Sequence, residues 1–347
     1  MGPFATALSI LIIAFLVTSI LIVPFVNLLY RLRFLRANQV TTDAFGKLTP
    51  IFDKFHRAKA GVPVGGGLLI ILVVCLLFGI AIPILSILGR DITSVYANQR
   101  AEMYILFFTL LSFGALGLYD DIKKFFHFKS VGIFGLTLRF KLLLQILLAT
   151  FISALLYFFL GISFVHVPFI GIIPLGPFFI PFATFTIVSF SNAVNITDGL
   201  DGLASGILMI SLFGLWFLSA SILDVPLTIF LAVWLGSLIS FLYFNVFPAR
   251  IFMGDVGSLA FGATLAVVGL LLGKVVALVV IGFIFVLEIS SSLIQLMSKK
   301  WRKKKILPAA PIHLTLQAYG WEEPKIVQRA WLLQIMLTIF GLWLAVL

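Results

Sequence analysis

Apolar residues in this chain come in long runs rather than at the 2- or 3.6-residue spacing that leaves one face of a strand or helix wet. The runs fall at about 4–29, 65–88, 104–119, 142–160, 169–190, 203–221, 226–244, 257–273, 275–297 and 330–347. A helix crossing a bilayer needs roughly 20 such residues, so the pattern predicts an all-α integral membrane protein of about ten transmembrane helices. No internal repeat and no stretch with the polarity of a soluble domain interrupts it, so residues 1–347 read as a single polytopic domain. The first run, Phe4 to Leu29, is longer than a signal-peptide core and is expected to be a retained span.

The connections between runs carry the charge, and they carry it unevenly. The first holds Arg31, Arg33, Arg36, Lys47, Lys54, Arg57 and Lys59. The third holds Lys123, Lys124, Lys129, Arg139 and Lys141, and the ninth holds Lys299, Lys300, Arg302, Lys303, Lys304, Lys305 and Lys325. Even-numbered connections hold only Arg90, Arg100 and Lys274. Basic loops stay on the cytoplasmic side, so the odd connections are expected inside and both termini outside. This also accounts for the net charge of +11: basic loops lie against anionic lipid, and no nucleic-acid partner is expected. The chain is 62% hydrophobic and has one cysteine, Cys75, which excludes a disulfide framework or a cysteine-ligated metal.

Against that background the acidic residues stand out. The stretch NAVNITDGLDGLASG, Asn192 to Gly206, packs Asn195, Asp198 and Asp201 between two apolar runs, with Gly199 and Gly202 beside them. Ionised carboxylates next to a span are costly unless they meet water, a metal or a ligand. An Asx turn capping the next helix would account for one of these acids, not for two with an Asn. Asp120 and Asp121 close the run LLSFGALGLYDD; adjacent carboxylates tend to share a cation or a proton, and the bland alternative is a solvated helix end. Asp255 sits between Gly254 and Gly257, where it could serve a metal or merely cap a helix.

Two further features are weaker alone. The turn KAGVPVGGG, Lys59 to Gly67, lacks the Gly-Lys-Ser/Thr of a Walker loop. Its amides and Lys59 could still meet a phosphate, or its small residues could serve close helix packing. His313 is a lone histidine of a kind more often structural; His56 and His127 share its side, and His166 is expected opposite. The basic run KKWRKKK reads as an interfacial anchor that would also attract anionic headgroups. Every candidate group falls in an odd connection, hence on one side. A zinc pattern and a nucleophile elbow are both missing from the sequence, so the chemistry suggested is acidic, metal-assisted and phosphate-directed. A multispan transporter is the contrasting reading, but transporters place ionisable groups near the midplane and often repeat their halves.

The blocks GLYDD, GLTLRFKLLLQ, NAVNITDGLDGLA, FMGDVGSLAFGA, FVLEISSSLIQ, and APIH followed by GWEEPKIVQRAW together resemble the polyprenyl-phosphate N-acetylhexosamine-1-phosphate transferases. They run in the same order and, with Lys59, cover nearly the whole chain; the APIH and GWEEP pair resembles the peptidoglycan branch. The resemblance implies about ten helices with a cytoplasmic cleft in the bacterial inner membrane. It implies Mg²⁺-dependent transfer of phospho-MurNAc-pentapeptide from UDP-MurNAc-pentapeptide to undecaprenyl phosphate, giving lipid I and UMP; a sister enzyme moving GlcNAc-1-phosphate is the alternative. The partners implied are these two substrates and the lipid bilayer, and a homodimer is left open. By the same resemblance Asp120, Asp121 and His313 are catalytic, Asp255 binds Mg²⁺, and Lys59, Lys141, Asn195, Asp198 and Asp201 bind substrate. The chain departs from the family where three consecutive histidines, then Phe and Glu, are usual: here the run is His313, Leu314, Thr315, Leu316, Gln317. It departs again at Pro63–Gly67, where Pro-Thr-Met-Gly-Gly is usual, and in a longer stretch from Phe125 to Gly135.

Overall fold

The computed structural model describes residues 3–36, 59–125 and 138–347. His56, His127, Lys129 and most of the Phe125–Gly135 stretch lie outside the described residues. In chain order the helices are α1 (Pro3–Arg31), α2 (Gly66–Ile87), α3 (Gln99–Phe125) and α4 (Leu138–Leu160). A hairpin of β1 (Phe164–Val167) and β2 (Gly171–Pro174) follows, with a single 3₁₀ turn at Gly176–Phe178. Then come α5 (Phe179–Thr197), α6 (Leu203–Ser221), α7 (Val225–Asn245) and α8 (Gly254–Leu271). The chain ends with α9 (Val275–Ile281), α10 (Phe283–Trp301), α11 (Ile312–Ala318) and α12 (Glu323–Val346).

Among the described residues nine helices are long and apolar enough to cross a bilayer singly, and α9 with α10 makes a further pair bent by 80°. The count matches the sequence expectation; two of the spans do not keep their expected form. The run 275–297 is not one straight helix. It breaks at Gly282, and a Cβ there would lie 2.8 Å from the Phe190 ring. Beyond the break the inward face of α10 is polar (Glu288, Ser291, Gln295 and Ser298), while Leu293, Ile294, Met297 and Trp301 face outward. The run expected to begin at 169 spends its first residues in the hairpin, because Pro168, Pro174 and Pro177 remove helix donors and Gly171 and Gly176 take positive φ. Several helices also run beyond their apolar cores: α3 reaches Phe125, α5 reaches Thr197 and α12 starts at Glu323. Asp120, Asp121, Lys141, Asn195 and Asp255 are therefore in terminal turns of helices, not in loops.

Packing is organised around α7 and α8. Trp234, Phe230, Phe241 and Phe261 are fully buried there, and α7 lies against α1, α2 and α6 while α8 lies against α3 and α5. The outer helices expose Ile12, Leu16 and Ile20 of α1 and Leu332, Met336 and Ile339 of α12. An apolar exterior around closed backbone hydrogen bonding is what lipid demands. Two glycines set how closely the central helices meet. A Cβ on Gly117 of α3 would fall 2.1 Å from the Asp255 carbonyl oxygen, and one on Gly67 of α2 would fall 2.2 Å from the Gly257 Cα. No other residue type fits at either crossing without moving backbone, and the first crossing places Asp120 and Asp121 one turn from Asp255.

Candidate functional site

The end of α3 and the beginnings of α4 and α8 converge on a compact set of charges. Asp120 Oδ2 and Asp255 Oδ2 share two ammonium groups. Lys141 Nζ lies 2.8 Å from the first and 2.6 Å from the second; Lys124 Nζ lies 3.1 Å and 2.7 Å from them. Asp120 is buried, whereas the Lys124 side chain is 41% exposed. Asp121 accepts the Val256 N–H at 3.0 Å on Oδ2, which pins the first turn of α8. Asn195, in the last turn of α5, donates to Asp255 Oδ1 at 3.0 Å and to Ser258 Oγ at 2.8 Å. Three helices thus hold Asp255 from three sides.

The turn between α5 and α6 links this set to a second one. Lys59 Nζ lies 2.7 Å from Asp201 Oδ1 and 2.6 Å from Glu323 Oε1, and donates to the Gly199 carbonyl at 3.2 Å. Asp201 Oδ2 also accepts the Ala249 N–H at 2.9 Å. Asp198 follows the last residue of α5 and is half-buried. Removal from water is the chief cause that pushes its carboxyl up to about 8; Asp255 and Asp121 push the same way, and Arg36 and Lys59 partly offset them. Burial likewise lowers the Arg36 guanidinium, against the pull of Asp198, Asp201 and Glu323. His313 reaches the same turn: a Cβ on Gly199 would lie 2.5 Å from its Nε2. Its Nδ1 lies 2.9 Å from Glu288 Oε2.

Asp120, Lys141, Asn195 and Asp255 are joined by direct bonds, Asp121 bonds the Val256 amide beside them, Lys59 and Asp201 form a second pair, and Asp198 and His313 lie at the turn between α5 and α6. The capping alternatives do not describe how the acids are used, since α6 is capped by Gly202 and α8 by Met253, neither with a side-chain bond. The glycine turn behaves otherwise than a phosphate cradle. Gly65 and Gly66 donate their amides to the Phe252 carbonyl and Gly67 donates to the Met253 carbonyl, at 2.8–3.1 Å. Those donors are spent on packing α2 against the start of α8, and only Lys59 of that stretch faces the charges.

Residues not singled out in the sequence also belong here: Lys124, Ser258, Glu288, Glu323 and Arg36. Lys124 had a signal, since it lies four residues after Asp120 on one helix. Glu288 had another, as an acid inside an apolar run. Glu323 and Ser258 had none beyond proximity in sequence to the blocks already noted.

Among the described residues no three Asp, Glu, His or Cys groups are placed to enclose an ion by themselves. Mg²⁺ does not require that: it is commonly held by one or two carboxylates, water and substrate phosphates. The donor set fits that pattern. Asp120 and Asp255 are hard oxygen donors whose Oδ2 atoms already converge on positive charge, and Asp121 lies beside them.

The family description Glycosyl transferase family 4 matches residues 103–273, which hold Asp120, Asp121, Lys141, Asn195, Asp198, Asp201 and Asp255. Similar relatives carry the name phospho-N-acetylmuramoyl-pentapeptide-transferase. The one from Clostridium perfringens (strain SM101 / Type A) is 36% identical over 318 residues, 91% of this chain and 90% of the relative. That of Staphylococcus epidermidis (strain ATCC 35984) is 35% identical over 344 residues, 96% of this chain and 98% of the relative. That of Borreliella burgdorferi (strain ZS7) is 34% identical over 350 residues, 95% of this chain and 92% of the relative.

Proposed function

Since the chain belongs to the phospho-N-acetylmuramoyl-pentapeptide-transferase family, and so is a multi-pass membrane phosphoglycosyl transferase of peptidoglycan synthesis, we propose its full reaction. It moves phospho-MurNAc-pentapeptide from UDP-MurNAc-pentapeptide to undecaprenyl phosphate, with Mg²⁺, and releases lipid I and UMP. The observation that carries this reading is the Asp120–Lys141–Asp255 arrangement, held at helix ends beside an apolar exterior. A water-soluble diphosphate and a lipid phosphate can meet only at such an edge.

The roles follow from charge. Asp255, with one of the Asp120–Asp121 pair, would hold Mg²⁺. The ion supplies neutralisation of diphosphate charge and of the leaving UMP. Lys141 and Lys124 are able to transfer their ammonium groups from carboxylate to phosphate oxygens, because Lys124 is partly solvated and both already lie between two acceptors. Asn195, through Asp255 and Ser258, keeps the metal-facing carboxylate in one rotamer. Lys59 holds Asp201 in place, and Asp198, its carboxyl pushed up to about 8, supplies a hydroxyl donor near neutral pH. The lipid phosphate is itself an anionic nucleophile, its second pKa being about 6, so direct attack on the β-phosphate needs no enzyme-bound phosphosugar. Where the lipid phosphate arrives as its monoanion, Asp120 or Asp121 would accept its one proton, and His313 faces the same turn. The concentration of Lys and Arg in the odd connections supports a cytoplasmic site in the inner membrane with both chain ends outside.

Purified protein in lipid nanodiscs tests the reaction when given Mg²⁺ and UDP-MurNAc-pentapeptide with or without undecaprenyl phosphate. UMP is expected only when the lipid phosphate is present, and UDP-GlcNAc is expected to give none. Release from UDP-GlcNAc instead would reassign the sugar, and label retained on denatured protein without lipid phosphate would replace direct attack by a covalent route.

A further inference from the structure

Glu288 is the one charged residue in the run 275–297, and its side chain is 3% exposed. A carboxylate in such a place requires a partner. Its partner is His313, whose side chain is 2% exposed: Glu288 Oε2 lies 2.9 Å from Nδ1. A carboxylate oxygen accepts, so Nδ1 carries its hydrogen towards Oε2, an arrangement that in an uncharged imidazole leaves the lone pair on Nε2. Nε2 is the atom that abuts Gly199, between Asp198 and Asp201. Glycine at 199 has a direct reason here: any side chain would take the space of that nitrogen.

The bond to Glu288 is one of a series. The inward polar stripe of α10 holds the segment that delivers His313. Ser298 Oγ donates to the Lys304 carbonyl at 2.9 Å. Gln295 Oε1 accepts the Ile306 and Leu307 amides at 3.0 and 3.1 Å, and its Nε2 donates to the Leu307 carbonyl at 2.8 Å. Glu288, two to three turns nearer the 80° bend, takes the end of that segment. Three side chains on one helix face thus fix residues 304–313 by their backbone and, at the last step, by the imidazole.

We infer that Glu288 is a positioning residue for transfer: it holds His313 as the Nδ1–H tautomer and aims an unprotonated Nε2 at the Asp198–Asp201 turn. This rests on the reading that His313 works in the reaction. Nε2 then accepts a hydrogen bond or a proton from a substrate group, and Glu288 stabilises the positive charge that forms on the ring.

The experiment uses the full chain in nanodiscs, with kcat and KM for UDP-MurNAc-pentapeptide and ¹⁵N spectra of labelled histidine. E288L is expected to lower kcat roughly 10- to 100-fold while KM stays near wild type. H313A is expected to lose at least as much, and E288L/H313A to be no worse than H313A alone, since both changes remove one unit. The His313 signal of the Nδ1–H tautomer is expected in the wild type and lost in E288L. E288Q keeps the shape and the acceptor without the charge; it is expected to retain the tautomer and lose about tenfold in kcat, which serves if E288L does not fold. Wild-type kcat in E288L or in a folded E288Q, multiplying losses in the double variant, or an unchanged tautomer in E288L would each overturn the inference. If H313A turns over normally, the role given to His313 falls and this falls with it; a damaged H313A beside an intact E288L sinks the positioning role alone.

Discussion

Lys141 Nζ lies 2.6 Å from Asp255 Oδ2 and so joins the first turn of α4 to the first turn of α8. The same ammonium reaches Asp120 at the end of α3. Residues 21 and 114 positions away in sequence become its immediate partners. Replacing Lys141 by Ala removes a cation poised for substrate phosphate, and kcat is expected to fall roughly 100-fold. Lys141→Arg should recover only part, because a planar fork cannot occupy the point between two carboxylates as an ammonium does. Steady-state turnover of the three proteins checks this.

Asp255→Asn keeps the bond from Asn195 within reach but removes the charge. Activity is expected to drop to a few per cent or less of wild type, roughly the 10²-fold scale of one electrostatic group, and the Mg²⁺ titration should move to higher concentration. Wild-type turnover with an unshifted titration would rule Asp255 out as the ligand. Chelation by EDTA should silence the wild type and restored Mg²⁺ should revive it.

The Lys59 cluster makes a claim about stability. Asp201 and Glu323 are 5% and 10% exposed at their side chains and both meet Lys59. Lys59→Met leaves two buried carboxylates facing each other and should cost about 3 kcal/mol, read as a lower melting temperature in detergent. Adding Glu323→Gln should return part of that loss, because the second charge goes with it. A double variant that melts below Lys59→Met would show that the repulsion is not what Lys59 relieves.

Asp198 predicts a pH dependence. Its carboxyl is raised by burial to about 8, so the folded protein holds a proton that the unfolded chain has lost above the ordinary carboxylate range. Binding more protons when folded means that stability from this group declines as pH rises from about 4 to about 8, then levels off. The melting-temperature difference between wild type and Asp198→Asn should therefore shrink or reverse across that window and stay constant above it. A difference independent of pH would remove Asp198 as the titrating group.

Sidedness can be read by labelling. In a Cys75→Ser background, single cysteines next to Lys59, Asp120, Asp198, Asp255 and His313 should resist an impermeant thiol reagent added outside intact cells. They should react once the membrane is opened. Labelling of any one of them from outside would divide what the charge pattern groups together.

What the sequence determined by itself was the solvent and the chemistry. Runs of about 20 apolar residues admit only helices in lipid, so the class and the approximate number of spans follow from hydropathy. Asp120, Asp121, Asp198, Asp201 and Asp255, with Asn195 among them, stood out because acids beside such runs need a reason, and the order of the blocks pointed to the family. Tertiary structure decided which of them touch. Gly117 against Asp255 is a backbone approach that no periodicity reports, and it alone puts the paired acids beside Asp255. Lys124 looked like an ordinary interfacial cation until α3 ran far enough to carry it past Asp120. The hairpin and the bend at Gly282 were hidden inside apolar runs, because hydropathy measures affinity for lipid and not backbone direction. The Gly65–Gly67 amides could have served a phosphate or a neighbouring carbonyl, and only the packing of α2 on the start of α8 chose between them. Glu288 and His313, 25 residues apart, became a pair because the segment after α10 returns along the helix's polar face. Contacts of that kind depend on where helices cross, which is set by many side chains at once and not by any one stretch of chain.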